Sequence, residues 1–372
     1  MSEDILIGPN DDEAEEATLL SGPQIAEFWR EFAAQLPTLV ALSQHEFVEH
    51  GNVILSRHAP ELAVELEKDP GSQAARIVIT SHGNLDQFEN AQALVRQAPP
   101  LPGHTVQAFR NRAQGSDFSM NMDNFSLSCS DVLVAHYDAG GVVGLEMSFE
   151  KIIPQDMMEH ARHMAFIMLD HVLGEWDFAV RVGPVEFVDA FSEDVDGAEP
   201  LSVFPAIFDE FLRDGLGRNN RFPTDGGDDD QWASFEVRRQ DAPDDAPPDL
   251  LTFRLSANAV ATRADMPYYM EWRLGFESQE ELDNARDACD ALQSRMEQHH
   301  SGILVYTRVE DMSARVAAFY VEDAQAATHL AQQMGEQFAP QQSEEVSTMF
   351  DPSWQEYLGI YNAVQPRDQE ED

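Results

Sequence analysis

Three histidines in the stretch MEHARHMAFIMLDH, residues 158–171, have a spacing that could supply metal ligands. On a helix that advances about 100° per residue, His160, His163 and His171 fall within an arc of about 80°. Such a set could hold the zinc ion of a hydrolase, so a metal-dependent hydrolase using this helix is one hypothesis. Glu159 directly precedes His160, however, and no HExxH motif forms.

The same helix carries a broad apolar stripe beside the histidines. Its members recur every three or four residues, as in a helix packed against a core: Met157, Met158, Ala161, Met164, Ala165, Met168, Leu169 and Val172. Pro154 before the stripe and Gly174 after it mark the helix ends. We therefore expect the three histidines to border a buried face, and we predict no metal ligand and no cofactor.

The acidic stretch DGGDDDQWASFE resembles a calcium-binding loop in its spacing. Asp225, Asp229 and Glu236 take the first, fifth and twelfth positions of an EF-hand loop. Gly227 replaces the third ligand, and Asp230 stands at the sixth position, where the turn requires glycine. We interpret the stretch as part of a solvated acidic linker.

Other catalytic patterns are missing from the sequence. No glycine-rich phosphate loop and no GxSxG nucleophile elbow occurs. Ser81 and His82 are adjacent, so at the end of a strand their side chains point apart and form no dyad. The two cysteines, Cys129 and Cys289, fit neither a disulfide framework nor a metal site. They suit a reducing cytoplasm.

Charge is the most extreme property of the chain. It carries 68 acidic against 23 basic residues, a formal net charge of -45, and its only lysines are Lys68 and Lys151. This balance argues against nucleic acid as a partner, because phosphates select positive patches, and it favours a basic protein partner. A lysine-poor acidic surface is also typical of adaptation to concentrated salt.

Length and composition predict two domains of an α+β protein. We expect an acidic disordered tail at 1–20, an N-terminal α+β domain at 21–195 and an acidic linker with a short helix at 196–230. A C-terminal domain at 231–364 and an acidic tail at 365–372 follow. The acidic first thirty residues and the absence of a long apolar run predict an unexported cytoplasmic protein without a membrane segment.

The C-terminal domain has the clearest pattern. YYMEWRLGF, residues 268–276, alternates as a half-buried strand does. Ser278 and Glu281 form a capping box that begins a helix. Two strands, a second helix and the strand EEVSTMF follow. The order β-α-β-β-α-β predicts a ferredoxin-like domain with both helices on one face of an antiparallel sheet.

The opposite face of that sheet could bind a partner. The alternation places Tyr269, Arg273, Tyr306 and Arg308 on it. Aromatic and arginine side chains on an open sheet stack RNA bases in recognition modules, but they also anchor protein interfaces and pack domains together. The net charge and the missing RNP consensus disfavour RNA, so we treat these four residues as candidates for binding a protein.

Residues 232–362 resemble an uncharacterised bacterial family, domain of unknown function 695. The resemblance lies in the order of an early Trp232, Asn258, Pro267 and a late Asp-x-x-Trp…Tyr motif, formed by Asp351, Trp354 and Tyr357. Asp311-Met312-Ser313 stands where family members usually carry a glycine in a turn. The family has no known activity, so no catalytic residue is implied, but some relatives are joined to a module resembling an acidic ribonuclease inhibitor. The N-terminal part is similar to other uncharacterised bacterial proteins.

These observations predict a non-catalytic intracellular protein that binds and restrains a basic partner, as an inhibitor, a regulator or an immunity protein for a toxin would. The metal-dependent hydrolase and the RNA-binding sheet face are the alternatives. The oligomeric state is not determined by the sequence.

Overall fold

The structure is a computed structural model. It describes residues 18–68, 71, 74–113, 115, 117–122, 125–193, 195, 197–224, 226–238 and 247–364. Most of the predicted tail 1–20, all of the predicted tail 365–372 and Asp225 lie outside this part of the chain. The described residues form both helices and sheets, which confirms an α+β protein.

Two compact units divide the chain, Met1–Arg112 and Ala113–Asp372. The described residues of the first unit form three α-helices and a three-stranded sheet in the order β1-β2-β3. Its elements are α1 (Gly22–Leu39), α2 (Gln44–Leu55), β1 (Ala63–Glu67), β2 (Ala75–Thr80), α3 (Phe88–Arg96) and β3 (His104–Ala108). The apolar stripe of α1 is buried along its length, because its members recur at helical spacing.

The second unit begins with a four-stranded sheet in the order β8-β7-β6-β9 and a separate hairpin, β4 with β5. Its elements are β4 (Ser119–Met122), β5 (Phe125–Ser128), β6 (Val132–Asp138), β7 (Val143–Phe149), α4 (Met158–Leu173), β8 (Val182–Phe187), β9 (Glu199–Pro200) and α5 (Phe204–Glu210). Gly140 and Gly141 turn the hairpin between β6 and β7 with φ of 82° and 86°, a conformation that glycine adopts without strain. Strands β7 and β8 are parallel and are connected through α4.

A six-stranded antiparallel sheet, in the order β10-β11-β13-β14-β12-β15, forms the rest of the second unit. Its elements are β10 (Trp232–Val237), β11 (Asp249–Arg254), β12 (Tyr268–Gly275), α6 (Gln279–His299), β13 (Gly302–Glu310), β14 (Ala314–Val321), α7 (Ala324–Phe338), β15 (Glu344–Phe350) and α8 (Gln355–Val364). Helices α6 and α7 pack on one face through apolar side chains that include Trp272, Leu292 and Phe319. The capping serine is confirmed, since Glu281 donates its backbone N–H to the hydroxyl of Ser278 over 3.2 Å.

The opposite face of this sheet is also covered. Helix α8 and the 3₁₀ segment Leu255–Val260 pack against it in a second core cluster with Phe253, Tyr320 and Trp354. The sheet is therefore buried on both faces over much of its area, and it is not the open platform expected from the alternation of β12.

The segment 196–230 differs from the predicted linker. Leu201, Phe204, Phe208 and Leu212 are buried in the same core cluster as β6, β7 and α4. These side chains give the segment an apolar face, so it packs as part of the unit instead of separating two domains.

Polar contacts also join the two sheets of the second unit. The indole N–H of Trp176 and the guanidinium of Arg181 donate to the backbone carbonyl of Thr262, each over 3.2 Å. The side-chain amide of Asn258 donates to the carbonyl of Leu216 over 2.7 Å. These contacts lie within one compact unit, because the chain divides after Arg112. The sequence had predicted the boundary within 196–230. Among the described residues, no helix is both long and apolar enough to cross a bilayer.

Candidate functional site

The four sheet residues proposed from the sequence form two neighbouring groups, one of tyrosines and one of arginines, each held by a glutamate. Tyr269 and Tyr306 have hydroxyl oxygens 2.6 Å apart, and these oxygens lie 3.0 Å and 3.3 Å from the carboxylate of Glu271, so two hydroxyl protons serve three contacts. Burial, the largest cause, raises the pKa of Tyr306 to about 12 and raises the pKa of Tyr269 further. Both phenols therefore stay protonated at neutral pH and act as hydrogen-bond donors, not as bases.

The two arginines lie beside the tyrosines, closer to solvent. Arg273 donates to the carboxylate of Glu310 over 2.9 Å, and Arg308 also pairs with Glu310. The two arginine side chains are 38% and 31% exposed. Arg273, Arg308, Glu271 and Glu310 form a patch in which two positive charges balance two negative charges.

A β-bulge determines which side chains reach this face. The register of β13 shifts between Leu304 and Tyr306, so Ile303 and Tyr306 face the same core cluster while Leu304 faces α6 and α7. Without the extra residue, Tyr306 would follow Leu304 to the helix side. The alternation of YYMEWRLG could have revealed Glu271, which shares the face of Tyr269 and Arg273, but the sequence carries no signal for the bulge.

The structure corrects the expected exposure of the two tyrosines. Tyr269 and Tyr306 are only 7% and 4% exposed, because α8 and its neighbours cover their end of the sheet. Neither ring offers an open face for stacking a nucleic-acid base, which RNA-recognition sheets require. Arg273 and Arg308 remain accessible as partner-binding candidates.

Four residues of the family resemblance, Pro267, Asp351, Trp354 and Tyr357, lie at the contact between α8 and the sheet. The indole of Trp354 stacks on Tyr320 with ring centroids 3.9 Å apart and donates to the carbonyl of Met266 over 3.0 Å. The hydroxyl of Tyr357 donates to the carbonyls of Arg254 and Leu255 over 3.1 Å and 3.0 Å. These positions therefore fix α8 in place, a structural role.

Asp351 and Pro267 complete that contact. The carboxylate of Asp351 accepts from the hydroxyl of Tyr320 and from the backbone N–H of Gln355 over 2.9 Å, which caps α8. The backbone N–H of Asp351 donates to the carbonyl of Pro267 over 2.8 Å. The remaining motif residue, Asn258, binds Leu216 as described above.

Trp232 belongs to a buried ion cluster that sequence reasoning missed. The fully buried guanidinium of Arg254 pairs with Asp230 over 2.7 Å and with Glu297, and it lies 5.2 Å from the ring of Trp232. The indole of Trp232 also donates to Asp230 over 3.0 Å. Both Asp230 and Glu236 belong to the stretch that resembled a calcium-binding loop. In the structure Asp230 is an ion-pair partner of Arg254, and Glu236 lies in strand β10. No sequence signal singles out these carboxylates among 68 acidic residues.

Helix α4, which carries the three histidines, packs with its apolar stripe in the core, as the sequence predicted. The stripe of α4 is buried from Ala161 to Val172, while His163 is exposed and His160 and His171 are half-buried. His171 meets the ring of Phe118 edge-on at 6.2 Å. Within the part of the chain that the structure describes, no group of three His, Cys, Asp or Glu side chains is arranged to hold a metal ion.

Acidic side chains line the outer surface of α6. Glu280, Asp283 and Asp287 are exposed and recur at steps of three and four residues, which places them along one face of the helix. Arg286 pairs with Asp283 over 3.0 Å. We call this surface the α6 acidic face, and it presents its carboxylates to solvent.

No family model, curated protein or solved structure matches this chain. The resemblance of residues 232–362 to the uncharacterised bacterial family therefore stays a prediction.

Proposed function

We propose that this chain is a non-catalytic protein that binds a basic protein partner through carboxylates on its surface. The observation that carries the proposal is the net charge of -45. Arginines in both units are already held by carboxylates of the same chain, for example Arg76 by Glu67 and Arg181 by Asp177. The remaining acidic groups attract cationic partners over the Debye length, which accelerates association at low salt.

The α6 acidic face is the surface we assign to this partner. Helix α6 is 21 residues long and is packed on the sheet through its apolar side, so its carboxylates are presented on a rigid element. The half-exposed Arg273 and Arg308 lie on the opposite face of the same sheet and are a second candidate contact.

A pull-down from the host organism tests the proposal. The tagged full-length chain is compared with an α6 variant, Glu280→Gln/Asp283→Asn/Asp287→Asn, and with a control variant of equal charge change in the first unit, Glu27→Gln/Glu49→Gln/Glu61→Gln. We expect a basic protein to be recovered at low salt, to be lost at molar salt and to bind the control better than the α6 variant. Recovery of no partner at either salt overturns the proposal.

Adaptation to concentrated salt is a second function for the acidity. It is favoured by the scarcity of lysine, with only Lys68 and Lys151 in the chain. Repulsion among the carboxylates destabilises the compact state and is screened by salt. Strong stabilisation against unfolding at molar salt, with no partner recovered, would favour this explanation over binding.

We further propose that residues 268–350 form a ferredoxin-like domain related to the uncharacterised bacterial family. The strand order β15-β12-β14-β13 with α6 and α7 on one face supports the fold, and the joint packing of Asp351, Trp354 and Tyr357 supports the resemblance. The fully buried thiols of Cys129 and Cys289 support a cytoplasmic location, where thiols stay reduced.

A further inference from the structure

A pocket of about 230 Å³ lies at the carboxyl ends of the parallel strands β7 and β8, beside the first turn of α4. In β-α-β units, ligands characteristically bind outside the carboxyl ends of the strands. The pocket residues come from β7, from the connection to α4, from α4 itself and from the end of β8, and they include Met147, Phe149, Lys151, Met158, Arg162 and Phe187.

One side of the pocket is apolar. The rings of Phe149 and Phe187 stack with centroids 5.8 Å apart and planes 16° from parallel. Met147 and Met158 add flexible, polarisable side chains that adapt to a ligand's shape. An apolar cavity of about 150 Å³ is large enough for benzene, so this pocket accommodates a group of that size together with a small polar substituent.

The charges that line the pocket reverse the balance of the chain. Two of its side chains, Lys151 and Arg162, are basic and only Asp189 is acidic, whereas acids outnumber bases threefold in the whole sequence, 68 to 23. Lys151 is also one of only two lysines. Its ammonium donates to the carbonyl of Ser126 over 2.8 Å and lies 3.9 Å from Asp131.

Arg162 retains hydrogen-bonding capacity for a ligand. Its Nη1 pairs with the exposed Glu159 over 3.1 Å, and its guanidinium carbon lies 5.8 Å from the ring of Phe187. Its Nε is buried and has no hydrogen-bond partner in the described part of the chain. The side chain of Arg162 is 43% exposed, so a ligand can reach the outer nitrogens of its guanidinium, and the N-terminus of α4 adds positive potential at the same place.

We propose that this pocket binds a small monocarboxylate that carries an aryl or similarly compact apolar group. The carboxylate binds Arg162, Lys151 adds a second positive charge at the edge of the pocket, and the apolar group packs on Phe149 and Phe187. A single negative charge suits the site because the surrounding chain, with a net charge of -45, repels a dianion more strongly than a monoanion. Helix α4, which carries the three histidines, thus contributes Met158 and Arg162 to the ligand site.

Calorimetric titration of the full chain with phenylacetate, phenylacetamide and inorganic phosphate tests this proposal. We expect saturable binding of phenylacetate and binding at least about tenfold weaker for the neutral amide and for phosphate. Arg162→Gln and Lys151→Gln should each weaken phenylacetate binding by about tenfold. Arg286→Gln is the matched control, because Arg286 forms the same i,i+3 ion pair on a helix outside the pocket, and it should bind as the parent chain does.

Methionine methyl NMR locates the ligand. Met147 and Met158 line the pocket, so phenylacetate should shift their methyl signals among the 14 methionines of the chain. The proposal is overturned if phenylacetate does not saturate, if phenylacetamide or phosphate binds equally well, or if only other methionines respond. If one pocket variant does not fold, the other variant and the amide comparison still decide between the outcomes.

Discussion

The hydroxyl groups of Tyr269 and Tyr306 meet at 2.6 Å across an intervening strand. Strand β14 lies between β12 and β13, and its residue opposite both Tyr306 and Glu271 is Ala318. The small side chain of Ala318 leaves room for the phenol of Tyr306 to reach over β14 to Tyr269 and Glu271 on β12. The network therefore links β13 to β12 through side chains across β14, in addition to the backbone ladder.

These tyrosines predict a loss of stability at alkaline pH. Burial raises the pKa values of Tyr269, Tyr306, Tyr320 and Tyr357 above the ordinary value of 10.0, to about 12 for Tyr306. Because the unfolded chain then releases protons first, the stabilisation is complete below pH 10 and is lost as the pH rises through the folded values. The chain has only two lysines, Lys68 and Lys151, so few lysine side chains titrate in the same pH range as these tyrosines.

Tyrosinate absorbance and circular dichroism measured together check this prediction. We expect most tyrosinate to appear in step with unfolding above pH 10, and Tyr306→Phe should make the fall of the unfolding free energy with pH shallower. Complete tyrosine ionisation while the circular dichroism stays native would contradict it.

Asp351 should contribute more than an ordinary helix cap. Asp351→Ala removes the cap of α8 and leaves the buried hydroxyl of Tyr320 without its acceptor. We expect a loss of about 2–4 kcal/mol, the sum of a cap and a buried unsatisfied donor. Ser278→Ala, which removes only the exposed cap of α6, should cost about 1 kcal/mol in urea unfolding. Equal losses for the two variants would show that the Tyr320 contact adds nothing.

Arg254 should be among the most sensitive positions in the second unit. Arg254→Ala leaves Asp230, whose side chain is 1% exposed, as a buried charge without its partner. We expect a loss of about 3–5 kcal/mol of unfolding free energy. Arg286→Gln, which breaks an exposed ion pair, should change stability by less than about 0.5 kcal/mol. Urea unfolding at constant ionic strength measures the unfolding free energy of both variants. A loss below about 0.5 kcal/mol for Arg254→Ala would contradict a stabilising role for its buried ion pairs.

The turn between β13 and β14 should gain stability from glycine. Asp311 and Met312 have φ of 47° and 53°, a conformation that costs side-chain-bearing residues about 1–2 kcal/mol. Met312 is 55% exposed, so little packing is lost in Met312→Gly, and we expect a net gain of roughly 0.5–1 kcal/mol. Met312→Ala keeps the strain and serves as the control. A gain in the alanine variant equal to that of glycine would argue against relief of strain.

Local patterns predicted many elements of the fold. The alternation of β12, the capping serine of α6 and the stripe of α4 all depend on neighbouring residues, and each is present in the structure. The stripe also predicted that the three histidines of α4 lie at its border, which holds for the half-buried His160 and His171. His163 is exposed instead, because at about 100° per residue it falls on the side of the helix opposite the stripe. Periodicity was sufficient here because one face of each element is buried.

Long-range packing was not predictable in the same way. Helix α8 covers Tyr269 and Tyr306, which are distant from it in sequence. Phe204 and Phe208 likewise pack into the core of β6 and β7, far from them along the chain. The acid-rich composition of 196–230 suggested a linker, although its few apolar residues are enough to anchor it. The ion pairs of Arg254 were hidden among many equivalent carboxylates.

The most direct test of the central claim is the salt dependence of affinity for the recovered partner. Calorimetric titration at increasing salt would compare the parent chain, the α6 variant and the control variant of equal charge change. We predict that affinity falls steeply with salt and that, at low salt, the α6 variant binds more weakly than the control. Affinity that does not change with salt, or equal binding by the two variants, would contradict partner recognition by the α6 acidic face.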